Sequence, residues 1–255
     1  RSIIHLMVSV GQLFETHTSG TIQVVEVKDS RNVTVRFLES GNQTTAAAHN
    51  ILHGKVQDHE ALAQRKVRYN VGWIGIGPYS HKTHPAIYNK WSNMLQRCYS
   101  KDMHKREPSY SPCSCCLEWQ CFQNFAQWYE SNCPNDNYSL DKDILVKHNT
   151  VYSPEKCCFV PSEINKMLVK QQTQRGMYPI GVQAQKGAST FVAVVTNPFT
   201  KKVEHYSGFY NTTDAFLKYK EAKEEIIKLM AEKYKHCIAP HVYQALINYQ
   251  VEITD

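Results

Sequence analysis

What the chain lacks narrows its chemistry before anything it contains. No apolar run approaches the roughly 20 residues that a membrane-spanning helix needs, and the opening RSIIHLMVSVG holds too short an apolar stretch for a secretory signal. No glycine-rich segment suits a phosphate cradle. Gly72, Gly75 and Gly77 lie in GWIGIGPYS without dinucleotide-binding spacing, and no P-loop occurs. These glycines read instead as places where the backbone turns tightly. No serine or cysteine stands in a recognisable nucleophile turn. Neither an internal repeat nor a low-complexity tract is present.

What is there describes an ordinary folded chain. Its 255 residues are enough for one large domain or two to three small ones, with 42% apolar and 20% charged residues. Lys and Arg number 29 against 23 Asp and Glu, a net charge of +6 that permits a polyanionic partner without requiring one. The nine cysteines are an odd number, and without a secretion signal reduced thiols are the default. Only Cys113 and Cys116 have Cys-x-x-Cys spacing, with Cys157 and Cys158 or His148 as the remaining partners for a structural zinc. Buried thiols are the plainer reading, and zinc is the alternative.

The pattern predicts an α+β protein in four segments. Residues 1–57 alternate through VGQLF, GTIQVVEVK and NVTVRFLE between tight turns, as in a small SH3-like β-barrel. Residues 58–84 read as a linker. Residues 85–175 open with a helix over 85–99, whose apolar residues Ile87, Trp91, Met94, Leu95 and Cys98 recur at three and four, and from which Arg97 projects. A second helix is predicted over 116–132, with Trp119, Phe122, Phe125, Ala126 and Tyr129 on one face. Residues 176–255 read as a three-stranded meander followed by a long helix opening at Asn211-Thr212-Thr213-Asp214, capped by Thr212 or Thr213. Ala215, Tyr219, Ala222 and Ile226 form its apolar stripe, and Lys223 falls among the solvated positions.

The densest chemistry lies in YSLDKDILVKHNTVYSPEKCCFVPSEINK, from Tyr138 to Lys166. It reads as strand, polar loop, strand and helix start. Asp141 and Asp143 sit on the first strand and share a face by two-residue alternation. Asn165 sits at the helix start. A carboxylate facing a helical amide is the donor set that one-metal phosphodiester cleavage needs, with hard oxygen ligands and open positions for water and phosphate.

The block from Tyr88 to Asn165 resembles phage-type HNH homing endonucleases, which carry a ββα-metal finger. The residues in question are YNKWSNMLQRCYS, YSPCSCCLEWQCFQNFAQWY and LDKDILVKHNTVYSPEKCCFVPSEIN. Residues 178–224, with GVQAQKGASTFVAVV and GFYNTTDAFLKYKEA, are similar to the AP2-type DNA-binding domain often joined to such nucleases. The resemblance implies a metal-dependent DNA endonuclease, nicking or double-strand cutting, in a bacterial host's cytoplasm and bound to duplex DNA; the lack of a long apolar run argues against a membrane partner, and the oligomeric state stays open with a monomer favoured. It puts Asp141 and Asn165 on a divalent cation, Mg2+ first and Mn2+ second. It also puts Lys142 where the family carries its general-base histidine. A lysine is protonated near neutrality, so Lys142 suits charge stabilisation better than proton abstraction. Asp143, as second ligand or base, and then His148 are the candidates to move the proton, while Asn149 shapes the loop. The alternative is a catalytically inactive DNA-binding regulator or blocker derived from such a nuclease.

DNA would be held on both sides of this block. On the AP2-like sheet the outward polar residues are Gln183, Gln185 and Lys186, then Lys201, Lys202 and His205, with Arg175 just before it. Glutamine suits adenine and lysine suits phosphate. In the first segment Lys28 and Arg36 are the candidates.

Overall fold

The computed structural model describes residues 8–168 and 177–255. The protein is mixed α+β, and among the described residues its sheets are several and small. In chain order the first elements are β1 (Leu13–Glu15), β2 (Thr21–Val27), β3 (Val33–Phe37), β4 (Gln43–Ala46), α1 (Ala48–Leu52), α2 (His59–Gln64), β5 (Lys66–Arg68) and β6 (Gly72–Trp73). Then come α3 (Pro85–Tyr99), α4 (Lys101–Arg106), β7 (Ser114–Cys115), α5 (Leu117–Gln120), α6 (Phe122–Asn132), β8 (Tyr138–Asp141), β9 (Val151–Tyr152), β10 (Cys158–Pro161) and α7 (Ser162–Leu168). The last are β11 (Val182–Ala184), β12 (Phe191–Asn197), β13 (Lys202–Phe209), α8 (Thr212–Lys233) and α9 (Pro240–Ile247). None of the described helices is long and apolar enough to cross a membrane. The chain divides into two compact units, residues 1–96 with 117–126, and residues 97–116 with 127–255.

In the first unit, β1 to β4 form an antiparallel meander in sequence order. Alternation places Ile22, Val24, Val33, Val35 and Phe37 on one face, where they bury with Ala48 and Ile51 of α1. The expected barrel does not close among the described residues. β1 and β4 remain the sheet edges, at three and four residues, and α1 covers the apolar face instead of further strands. A second core joins α3 to α5 and the start of α6. Trp91 and Phe122 rings lie 5.4 Å apart, Trp119 and Phe125 5.3 Å apart, and Trp91 Nε1 donates to the Trp119 carbonyl at 2.8 Å. The helix expected over 116–132 is two helices, because Cys121 leaves the helical path to bridge Trp73. Gly72 is needed at this core, since a Cβ there would lie 2.4 Å from Leu95 Cδ1 and 2.7 Å from Trp91 Cζ2.

In the second unit, β8 and β10 pair antiparallel, Asp141 opposite Cys158 and Tyr138 opposite Pro161. β7 and β9 pair parallel beside them in sequence. Every residue of β10 is buried, and Phe159 packs between Trp128 and Tyr129 with both ring centroids at 5.0 Å. α7 packs on β8 and β10. Ser162 Oγ holds its start by donating to the Asn137 carbonyl at 2.6 Å. β11, β12 and β13 form an antiparallel meander covered by α8, on which α9 packs.

Two details of α8 differ from the sequence reading. Its N-cap is Asn211, whose Oδ1 accepts from the Asp214 N–H at 2.8 Å while its Nδ2 donates to Asp214 Oδ2 at 2.8 Å. This reciprocal pair satisfies one of the free N–H groups at the helix start, so neither threonine has to. Lys223 is half-buried, not solvated, with its Nζ donating to the Met167 carbonyl at 2.7 Å. It stands four residues from both Tyr219 and Ile227, which are themselves buried, so it falls inside a stripe broader than the one expected.

Candidate functional site

β8 ends at Asp141, and the next turn sets the geometry. Asp141 Oδ1 accepts from the backbone N–H groups of Asp143 and Ile144, each at 2.8 Å. This aspartate turn bends the chain away from the strand. Asp143 therefore lies in the loop, and the two-residue alternation that would put it on Asp141's strand face stops before reaching it.

Lys142 folds back into the loop. Its Nζ donates to Asp143 Oδ1 at 2.9 Å, Asp143 Oδ2 at 2.8 Å and the Asn149 carbonyl at 2.7 Å. An ammonium offers three donors, and all three have partners here. Buried Asn149 closes the loop from the other side. Its Nδ2 donates to the carbonyls of Lys142 at 2.9 Å and Val151 at 2.8 Å, and its Oδ1 accepts from the Val151 N–H at 3.0 Å. Lys142 and Asn149 are pins of the loop.

Asp141 itself is poorly solvated. Burial raises its carboxyl above the usual value, against the two backbone N–H bonds, which lower it. Oδ2 takes no hydrogen bond among the described residues. The guanidinium of Arg97, in the last turn of α3, shares this environment. Burial opposes its charge, but Tyr152, Tyr110 and Asp141 hold its pKa above the ordinary arginine value. Arg97 also lies over the Tyr110 ring at 5.6 Å, and its backbone carbonyl meets His104 Nε2 at 2.8 Å. Arg97 is the residue that sequence reasoning underrated. Its signal was its place at the edge of the apolar stripe, three residues after Met94 and one before Cys98, both buried.

His148 has a left-handed φ of 58° and an exposed ring. Its Nε2 lies 3.2 Å from Glu252 Oε2 and 3.8 Å from Asp255 Oδ1. Neighbouring Lys147 donates to the Gln250 carbonyl at 2.6 Å and pairs with Asp255 Oδ2 at 2.8 Å and Glu252 Oε1 at 3.3 Å. The segment after α9 thus clasps the loop across 104 positions of sequence. Among the described residues, His148, Glu252 and Asp255 are the one group of His, Cys, Asp or Glu whose donor atoms gather within 4.8 Å. Lys147 Nζ lies against both carboxylates and offsets one of their two charges, so the cluster is part of an ion-pair network.

No cysteine belongs to that group. All nine are free thiols. Burial pushes Cys98 and Cys157 up to about 12, and Cys115 and Cys158 higher still. Without a metal such thiols stay protonated at neutral pH, and a zinc ion would have to displace their protons.

Asn165 is half-buried on α7, and its amide makes no hydrogen bond among the described residues. Asp141 Oδ2 and the Asn165 amide oxygen are hard donors without sulfur, which suits Mg2+ or Mn2+.

The residues expected to grip DNA fall in both units. Lys28, beside Glu26 at 3.7 Å, and Arg36 on β3 are exposed in the first. In the second, Gln183 is exposed on β11, and Gln185 and Lys186 lie in the following turn. Lys201 takes a left-handed φ of 56° in the next turn, and Lys202 opens β13. Gln183, opposite Val192, stands on the sheet face away from α8 with His205 and Ser207, whose register partners are Val194 and Val192. Arg175 lies outside the described residues. Compared with known proteins, the chain matches no family model, no curated protein and no solved structure.

Proposed function

We propose that this protein is a metal-dependent endonuclease acting on duplex DNA. The observation that carries the reading is Asp141: a poorly solvated carboxylate at a strand end, fixed through Oδ1 by two loop N–H groups, with Oδ2 left without a hydrogen bond and an arginine in the same environment. The turn uses Oδ1 alone, which leaves Oδ2 available as a hard ligand. One rigidly aimed oxygen is what a cation ligand needs.

Asp141 and Asn165 would hold the divalent cation, whose chemistry is to polarise the scissile phosphate and steady the leaving oxygen. Arg97 supplies fixed positive charge where negative charge grows on the phosphate. Lys142 is no base, because its protons are committed to Asp143 and Asn149. Both Asp143 oxygens accept from that lysine. His148 is left to take the proton from water, its ring oriented by Glu252 as a base is oriented by a carboxylate. The outward face of β11–β13 would bind the duplex.

The test is cleavage of supercoiled plasmid in Mg2+ by the unaltered chain, Asp141→Ala and His148→Ala. Nicking or linearisation that Asp141→Ala abolishes and His148→Ala slows supports the reading. Full cleavage by Asp141→Ala sinks it. The commitment of Lys142 at the expected base position favours one second reading, a DNA-binding protein without turnover. Tight duplex binding with no cleavage at high protein concentration selects it.

A further inference from the structure

From Ala61 to Lys101 the chain has no Asp or Glu, while Arg65, Lys66, Arg68, Lys82, Lys90, Arg97 and Lys101 all fall within it. A surface helix or loop of a soluble protein normally mixes both signs. In the first unit this stretch builds the β5–β6 hairpin. Tyr69 and Asn70, with φ of 52° and 57°, are the central residues of its turn, closed by the Val71 N–H donating to the Arg68 carbonyl at 2.9 Å. Arg65 and Lys66 are exposed at its base, and Val67 and Tyr69 are 44% and 38% exposed along it. Among the described residues, none of Arg65, Lys66, Arg68 and Lys82 meets a carboxylate.

The hairpin is held firmly. Lys66 Nζ sits 3.7 Å over the Trp73 ring, and Arg68 Nε donates to Tyr88 Oη at 2.9 Å. The Tyr88 ring also meets His81 at 5.8 Å, which brings the His81-Lys82 segment beside the same strand. The following loop is clamped by buried Gln123. Its Nε2 donates to the Ile74 carbonyl at 3.1 Å and the Tyr79 carbonyl at 2.9 Å, and its Oε1 accepts from the Tyr79 N–H at 3.1 Å. Arg65, Lys66, Arg68 and Lys82, with no carboxylate partner among the described residues, raise local self-repulsion on a fixed ribbon, which a bound polyanion relieves.

We propose that the β5–β6 hairpin and the adjoining Lys82 form a phosphate-gripping surface for duplex DNA, with Arg65, Lys66 and Lys82 on the backbone. The identity of the polyanion rests on the nuclease reading, while the surface itself does not depend on cleavage. A two-stranded ribbon has the width a major groove admits, and cations along its flanks meet the phosphates that border the groove.

The experiment measures duplex-DNA binding by the full chain in EDTA across a salt series, comparing it with Arg65→Gln/Lys66→Gln/Lys82→Gln. Each phosphate contact contributes about 0.9 to the slope of log K against log salt. The triple variant should lose about 2 to 3 of that slope. Since Lys66 also packs on Trp73, Arg65→Gln/Lys82→Gln serves as a second variant and should lose roughly 1.8. Unchanged slopes in both variants would overturn this surface and leave the nuclease reading standing. Reduced slopes in a chain that never cleaves would uphold the surface and end the nuclease reading. A slope change seen only with duplex RNA, or no duplex binding by the unaltered chain, overturns the proposal.

Discussion

Replacing Lys223 with methionine should stabilise the protein, and by an amount that depends on pH. Lys223 shares a cavity lining with Met167, Leu168, Ile180, Tyr219, Ile227, Tyr249, Val251 and Asp255, in which Asp255 is the one other charged group. Burial lowers its pKa from the ordinary 10.5 to about 8. Each pH unit of such a difference is worth about 1.4 kcal/mol, so holding the charged form folded costs about 3 kcal/mol at neutrality. Against this stands the hydrogen bond to the Met167 carbonyl, worth on the order of 1 to 1.5 kcal/mol. Lys223→Met should therefore gain about 1 to 2 kcal/mol at pH 7. The pH dependence has a definite sign. Between the folded and unfolded pKa values the unfolded chain binds more protons, so the stability contributed by Lys223 rises with pH across that window. The penalty is fully present below the folded value and gone above the unfolded one. Urea unfolding of both proteins at neutral and at strongly alkaline pH measures this: the variant should lead at neutrality and lose its lead as pH climbs. A methionine variant equally destabilised at both ends would refute the reasoning, because it would mean that the lysine contributes its hydrogen bond and carries no desolvation cost.

Asn149→Ala removes three hydrogen bonds from a buried position and strands the carbonyls of Lys142 and Val151, a loss of about 2 to 4 kcal/mol. The urea midpoint should fall accordingly, with cleavage falling alongside because the loop that fixes Asp141 loosens, and an unchanged midpoint would show that the loop holds without it. Arg97→Gln should cost about 100- to 1,000-fold in plasmid cleavage, the usual cost of losing one charge-stabilising donor, with duplex affinity nearly unchanged. Equal losses in gel-shift affinity and cleavage would reassign Arg97 to holding the ground-state phosphate.

The parts of this protein that were legible in its sequence are those governed by local periodicity. The three-and-four spacing of Ile87, Trp91, Met94 and Leu95 marks α3 over the residues it occupies, and the alternation of Val33, Val35 and Phe37 marks β3 and its buried face. The order strand, loop, strand, helix around Asp141 also follows from local pattern, except that the two-residue β9 stands inside the expected loop. Illegible were the features decided by partners distant in the chain. Cys121 breaks a helix because it meets Trp73, and His148 turns toward Glu252 because the two segments pack. Neither contact has a local signature.

Lys142 shows the limit most clearly, because its chemistry depends on its acceptors more than on its residue type. In sequence it stands between two aspartates, where the resemblance to HNH endonucleases implies a base. In the fold it is neither base nor free cation, since Asp143 and the Asn149 carbonyl consume its protons. A histidine in its place could not satisfy three acceptors at that reach, so the lysine and the buried asparagine form one loop solution and would have to change together. If this is right, Lys142→His alone weakens the loop without restoring a base, and on the nuclease reading the positive charge for the phosphate comes from outside the loop, where Arg97 feels the charge of Asp141.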